Sequence, residues 1–169
     1  MTNGNAHFVT TAWLADNLRS PDLLVIDGSW HLPTENRNAA AEYAQAHIPG
    51  AVFFDIEAIA DHTTDLPHML PDPVAFSSAM RQLGLGDGMR VVVYDSTGIS
   101  SAPRVWWTLR AFGVNDISIL EGGFAQWQAD GHPVEDGVRL GSAASRTTSR
   151  ASASAPAPPS AQCRHRIAR

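Results

Sequence analysis

The stretch "VVVYDSTGISSAPR", from Val91 to Arg104, predicts a buried strand, a tight loop and the first turn of a helix. The apolar run ends just before Asp95, and Gly98 lies within the loop that follows. The backbone N–H groups of such a loop point inward and favour a bound anion. A carboxylate at the first loop position can accept those hydrogen bonds itself. We therefore interpret Asp95 as an internal cap of the loop rather than as a nucleophile.

Strand and helix patterns alternate on both sides of this loop. Strands are predicted at "LLVIDG" (23–28), "AVFFDI" (51–56) and "DISILEGG" (116–123). Helices are predicted between the strands and before the first of them, where "VTTAWLADNL" (9–18) lies. This alternation predicts an α/β fold with a mostly parallel central sheet of about five strands and helices on both faces. Ligands bind at the carboxyl ends of such strands, where Asp27, Asp55 and Asp95 are expected.

Composition and charge narrow the classes of function. The 169 residues carry a net charge of −5, with −11 up to Asp136 and +6 after it, and all 12 basic residues are arginine. The acidic body excludes nucleic acid as the main partner. No apolar run is long enough to span a membrane and no leader pattern opens the chain, so we predict a cytoplasmic protein without a membrane partner. The sole cysteine, Cys163, excludes a disulfide within the chain, and we expect no metal site and no cofactor.

Four strings together resemble a known family. They are the loop at 91–104, "EYAQAHIPGAVFFDIEAIAD" (42–61), "LPHMLP" (66–71) and "ILEGGFAQWQADGHPVE" (119–135). They are similar to the N-terminal rhodanese domain of two-domain sulfurtransferases, with 3-mercaptopyruvate sulfurtransferases the closest group and thiosulfate sulfurtransferases next. The resemblance covers residues 8–136 and implies a rhodanese-like domain there, corresponding to the non-catalytic N-terminal copy.

The resemblance also implies a reaction and a partner. Members of the family move sulfane sulfur from 3-mercaptopyruvate or thiosulfate to cyanide or a thiol, through a persulfide on a cysteine of the C-terminal domain. Their N-terminal domain has an acid at the loop position that Asp95 occupies, and it contributes cleft residues that match His68 and Glu57. By this resemblance the chain lacks the catalytic cysteine domain and is expected to be inactive alone. Its expected partners are a small sulfur donor in the complete enzyme and either the missing domain or a second copy.

Other residues keep two interpretations. His68 is either a proton donor or positioner in the cleft, or a cap on a backbone group. Arg104 either binds the anionic substrate or forms an ion pair on the helix surface, which we favour. We expect His47 to order the turn before a strand. Because Trp106 and Trp107 are adjacent on a helix, they cannot share a face, so one should enter the core and the other should face a partner domain.

The composition changes abruptly at the C-terminal end. About three quarters of residues 139–169 are Ala, Ser, Arg or Pro, and none is acidic or aromatic. We predict a disordered low-complexity tail over 137–169, because so few apolar side chains cannot offset the entropy of ordering. The pattern is also typical of GC-rich DNA translated out of frame, so we hypothesise a frameshift that truncates a two-domain sulfurtransferase. In this setting Cys163 is interpreted as an adventitious thiol.

Two other functions remain open at the level of sequence. The first is a non-catalytic rhodanese module that binds a partner or an anion. The second is an Asp-dependent phosphoryl transferase, because an apolar strand followed by Asp-x-Thr is similar to one type of phosphate-transfer loop. That loop usually needs a second acid where Thr97 stands, together with a lysine, and the sequence contains no lysine.

Overall fold

The computed structural model describes residues 7–138, which form one five-stranded sheet with helices around it. The strands are β1 Phe8–Val9, β2 Leu23–Asp27, β3 Val52–Phe53, β4 Arg90–Tyr94 and β5 Ile117–Leu120. The helices are α1 Thr11–Asn17, α2 Ala39–Gln45, α3 Ile56–Ile59, α4 Pro73–Gln82, α5 Ala102–Ala111 and α6 Gly123–Ala129, with a 3₁₀ turn at Pro33–Glu35. All neighbouring strands pair in parallel, in the order β1-β5-β4-β2-β3. The predicted α/β class and parallel sheet are confirmed.

The apolar run of β4 explains why helices cover both faces of the sheet. Side chains alternate along a strand, so Val91 and Val93 enter one core cluster while Val92 and Tyr94 enter the other. Helices α3, α4 and α5 supply the first cluster, and α1 and α6 supply the second. A strand that is apolar on both faces can be buried only between two helical layers.

Helix ends follow the capping residues that the sequence contains. The Thr10 hydroxyl accepts a hydrogen bond from the Trp13 N–H at 3.2 Å and caps the start of α1. After α4, Gly84 adopts a left-handed conformation with φ of 86°, which ends that helix. The sequence analysis missed β1, which is only two residues long, and α3, a single turn capped by Asp55. Elements this short carry too few residues for a periodic pattern.

The order of the strands creates a crevice at the carboxyl edge of the sheet. After β2 the chain runs into α2, which lies beside α6 around a shared cavity of about 230 Å³. After β4 it runs to α5 on the opposite face. Because β2 and β4 are neighbours, their connections diverge at the position where α/β sheets usually bind ligands. Asp27 and Asp95 flank this crevice.

Two further predictions concern the location of the protein in the cell and the order of its C-terminal tail. Among the described residues, no helix has the length and apolar character needed to cross a bilayer. A cytoplasmic location stays a prediction. The predicted tail lies outside the described residues from 139 onward, and Cys163 lies there too.

Candidate functional site

The loop between β4 and α5 wraps around the carboxylate of Asp95. Oδ1 accepts hydrogen bonds from the N–H groups of Thr97 and Gly98, and Oδ2 accepts from those of Ser100, Ser101 and Ala102, at N···O distances of 3.1, 2.6, 2.7, 2.9 and 2.9 Å. Asp95 is 1% exposed. The carboxylate therefore occupies the centre of a ring of donors that would otherwise hold an external anion, as the internal-cap interpretation predicts.

The electrostatics of Asp95 reflect these donors. Burial raises the pKa of Asp95, but the backbone hydrogen bonds together outweigh this effect and hold the pKa below its usual value. Asp95 is thus an anion at neutral pH with both oxygens engaged. Such a carboxylate is a poor nucleophile, so the loop does not support phosphoryl transfer through Asp95.

The loop is braced by the start of α6. The N–H of Phe124 donates to the backbone carbonyl of Asp95 at 2.8 Å. Gly123 lies so close that a Cβ there would fall 2.4 Å from the same carbonyl oxygen, and its φ of 58° also favours glycine. Gly123 of the "EGG" string therefore allows the start of α6 to pack directly against the Asp95 loop.

His68 and Arg104 lie together on the α5 side of this loop. The Arg104 guanidinium donates a hydrogen bond to the backbone carbonyl of His68, and it also lies 5.2 Å from the centre of the Trp107 ring. The favoured interpretation of Arg104 as part of a surface ion pair is wrong, because no carboxylate of the described residues pairs with it. Arg104 instead holds the backbone of His68, whose φ is 56°.

Glu57 is linked to His68 through Trp30, a residue that the sequence analysis did not single out. The indole N–H of Trp30 donates to Oε1 of Glu57 at 3.0 Å, and the Trp30 ring meets the His68 ring edge to face at 5.0 Å. The backbone N–H of Trp30 donates to the Ser101 hydroxyl at 3.0 Å. A tryptophan shortly after the carboxyl end of a parallel strand was the available signal.

This part of the chain forms one wall of a site rather than a closed pocket. The cavity beneath His68 and Arg104 measures only about 10 Å³, which is too small for any substrate. A cavity of about 670 Å³ lies at the amino ends of β4 and β5, next to Met89 and Asp116, away from the Asp95 loop. Of the residues that the sequence singled out, Glu57 is exposed, His68 and Arg104 are half-buried and Asp95 is buried, and within residues 7–138 no cavity beneath them is large enough to enclose a ligand.

The remaining candidates lie apart from this wall. His47 is fully buried, stacks on Tyr43 and hydrogen-bonds the Tyr43 carbonyl through Nδ1 at 2.8 Å. These contacts fix His47 to α2, and its role in ordering the turn before β3 stays a prediction. Trp106 packs against the core and donates to the Ile117 carbonyl, whereas Trp107 is 47% exposed. The expected division between a core tryptophan and an outward-facing one is confirmed.

Comparisons with known proteins agree with this geometry. A family model described as "Rhodanese: Rhodanese-like domain" matches residues 10–130. The 3-mercaptopyruvate sulfurtransferase of Escherichia coli is 52% identical over 132 residues, which cover 78% of this chain and 47% of that protein. The thiosulfate sulfurtransferase of Cricetulus griseus is 46% identical over 132 residues, which cover 75% and 44%.

A solved structure shows the same likeness. The crystal structure of SseA from Escherichia coli, described as a 3-mercaptopyruvate sulfotransferase with the "Rhodanese" fold, superposes with a TM-score of 0.77 at 49% identity. The match covers 80% of this chain and 52% of that one. The chain therefore spans about half the length of the relatives it matches.

Proposed function

Because the chain belongs to the rhodanese family, and within it is similar to the 3-mercaptopyruvate sulfurtransferases, we propose that it forms the N-terminal wall of a sulfurtransferase cleft. The donor is 3-mercaptopyruvate, with thiosulfate as the second candidate. The observation that carries the proposal is the Asp95 carboxylate, which fills the anion-binding loop next to His68 and Glu57. The N-terminal copy keeps the shape of the loop and leaves the nucleophile to the other domain.

The proposed chemistry is a two-step sulfur transfer. A thiolate of the second domain attacks the thiol sulfur of 3-mercaptopyruvate, a persulfide forms, and the C–S bond breaks to leave the enolate of pyruvate. The enolate takes a proton and becomes pyruvate. Cyanide or a thiol then attacks the outer sulfur of the persulfide and regenerates the thiolate. In this scheme His68 is the proton donor and Glu57 is the carboxylate beside it.

The chain alone is proposed to be inactive. Residues 7–138 contain no cysteine, and both oxygens of Asp95 are already engaged in hydrogen bonds. We expect no thiocyanate when the full chain is incubated with 3-mercaptopyruvate and cyanide. Turnover that survives both Cys163→Ser and Asp95→Ala would overturn this mechanism.

A chimera tests the proposal directly. Residues 7–138 replace the matching half of the Escherichia coli relative, so that the second half supplies the thiolate. We expect the chimera to turn over 3-mercaptopyruvate, and we expect His68→Asn to lower kcat by about a hundredfold, the usual worth of a positioned proton donor. His62→Asn is the matched control, because His62 is exposed in the same connection. An active chimera that is indifferent to His68→Asn would contradict the assigned role.

A second candidate function is a partner-binding module without catalysis. The observation that favours it is the exposure of three apolar side chains around the site, Met69, Ile99 and Trp107. We propose that a second rhodanese-like domain, or a second copy of the chain, covers them. Light scattering should show concentration-dependent association that Trp107→Glu abolishes. Val74→Glu is the control, because Val74 is 78% exposed on α4. A monomer at every concentration would contradict self-association.

A further inference from the structure

Trp30 contacts three parts of the candidate site at once. It lies in the connection that follows β2, with its ring half-buried. Its indole N–H binds Glu57, its ring packs on His68 at an interplanar angle of 82°, and its backbone N–H binds the Ser101 hydroxyl. A single side chain therefore joins the two proposed cleft residues.

The position of Trp30 is tied to the Asp95 loop. The Ser101 hydroxyl accepts from Trp30, while the Ser101 backbone N–H donates to Asp95 at 2.9 Å. Ser101 is 6% exposed, so this link is shielded from water. The connection after β2 and the loop after β4 are thereby fixed to each other across the crevice between their strands.

His68 depends on packing for its orientation. Its imidazole makes no hydrogen bond to any described residue, and its Nδ1 is buried. Its backbone is held by Arg104, but the only ring against which it packs within residues 7–138 is that of Trp30. An edge-to-face contact of this kind restricts the tilt of both rings.

We propose that Trp30 is a positioning residue that orients the Glu57 carboxylate by hydrogen bonding and the His68 imidazole by ring packing. This inference rests on the proposed function, since it assigns Trp30 to the same wall of the cleft. Trp30 does not itself exchange protons or sulfur. It sets where the two titratable side chains stand relative to the Asp95 loop.

The first test uses the full chain and nuclear magnetic resonance. The indole N–H signal of Trp30, identified by its loss in Trp30→Phe, should shift in Glu57→Gln, because a neutral amide oxygen accepts a weaker hydrogen bond than a carboxylate. Circular dichroism should show that Glu57→Gln is folded, because Glu57 is exposed on α3. Trp30→Phe should also move or split the ring signals of His68, whereas Trp13→Phe on α1 should leave them unchanged. An indole signal that Glu57→Gln leaves unchanged would overturn the proposal. Glu57→Asp, whose shorter side chain withdraws the carboxylate from the indole, decides the same question if Glu57→Gln fails to fold.

The second test uses the chimera described above and separates this inference from the proposed function. We expect Trp30→Phe to lower kcat about tenfold, the worth of one hydrogen bond to a charged group, with little change in KM. Trp13→Phe should change neither constant. A chimera that responds to His68→Asn but not to Trp30→Phe would overturn the positioning role alone. An active chimera that is indifferent to His68→Asn would instead overturn the proposed function.

Discussion

Asp27 and Asp95 end neighbouring parallel strands at the same edge of the sheet, yet their pKa values shift in opposite directions. Asp27 pairs in register with Tyr94, the residue before Asp95, and Asp27 and Asp95 are 4% and 1% exposed. Burial raises the pKa of Asp27, which has only a few hydrogen-bond partners to oppose it. Burial also raises the pKa of Asp95, but the ring of N–H donors outweighs it and lowers the net value. The ring of backbone donors around Asp95, against the few hydrogen bonds to Asp27, gives the two carboxyl groups opposite net pKa shifts.

Replacing Asp95 by asparagine should destabilise the fold most at neutral pH. The amide would direct its own N–H groups at backbone donors, so we expect a loss of about 3 kcal/mol at about pH 7. Because the folded pKa lies below the usual 3.8, the wild type itself loses this stabilisation as the pH falls through the folded value. The difference between variant and wild type should therefore shrink toward about pH 3. Urea denaturation at both pH values measures the free energy of unfolding of the variant and of the wild type.

A matched variant separates this effect from ordinary helix capping. Asp55 caps α3 by accepting from two backbone N–H groups and is exposed. Asp55→Ala should cost about 1 kcal/mol, the usual worth of such a cap. If Asp95→Asn lowers the free energy of unfolding by no more than Asp55→Ala does, the five donors stabilise Asp95 no better than an ordinary helix cap.

The stability of Asp27→Asn relative to the wild type should change with pH in the opposite direction to that of Asp95→Asn. The folded pKa of Asp27 is raised, so its favourable contribution is complete below the usual 3.8 and is lost as the pH rises through the folded value. The asparagine variant does not suffer that loss. Its stability relative to the wild type should thus improve between about pH 3 and about pH 7 in the same denaturation series. A relative stability that falls over this range would contradict the assigned direction.

The architecture followed from the sequence because the pattern of apolar residues was strong where the elements are long. The run before Asp95 predicted β4, and the alternation around it predicted a parallel sheet between two helical layers. Strand β1, Phe8–Val9, was not predicted because a two-residue strand is recognisable only from its pairing with a partner strand, here β5. Local propensity carries no information about such a pairing.

The site was predictable only in part, for a related reason. The Asp95 loop is local in sequence, so its internal hydrogen bonds could be anticipated from the strand, the acid and the glycine. The surface ion pair expected of Arg104 was wrong because its partner is a backbone carbonyl 36 residues away, and binding of an anionic substrate by Arg104 stays a prediction. Trp30 was missed because its contacts, to Glu57 and His68, are distant along the chain. Contacts between loops depend on how the sheet brings strand ends together.

Gly123→Ala should be severely destabilising. A Cβ would lie 2.4 Å from the Asp95 carbonyl oxygen, so α6 and the loop would have to separate. We expect a loss of more than about 3 kcal/mol in urea denaturation. Gly131→Ala is the matched control, because its φ of 74° is also left-handed but no atom lies within 4 Å of the added Cβ. The control should lose about 1 kcal/mol, and equal losses in the two variants would refute the close approach as the cause.

Asp95→Cys tests whether the loop is an anion-binding cradle in its own right. The donors that now bind the carboxylate would face the sulfur, and they should stabilise the thiolate over the thiol. We expect a thiol pKa about two units below the ordinary value of about 8.5, measured by the ultraviolet absorbance of the thiolate in a Cys163→Ser background. Alkylation rates across the same pH range should follow the same curve.

The control for this measurement is Ser77→Cys in the same background, because Ser77 is exposed on α4 and should give a thiol of ordinary pKa. Circular dichroism establishes that both variants are folded before the titration. If the thiol introduced by Asp95→Cys has the same pKa as the control thiol, the loop does not stabilise an anion electrostatically. It would then hold the carboxylate by its shape alone. A depressed pKa would instead show that the backbone of this loop alone, without any residue of a second domain, is sufficient to prepare a thiolate.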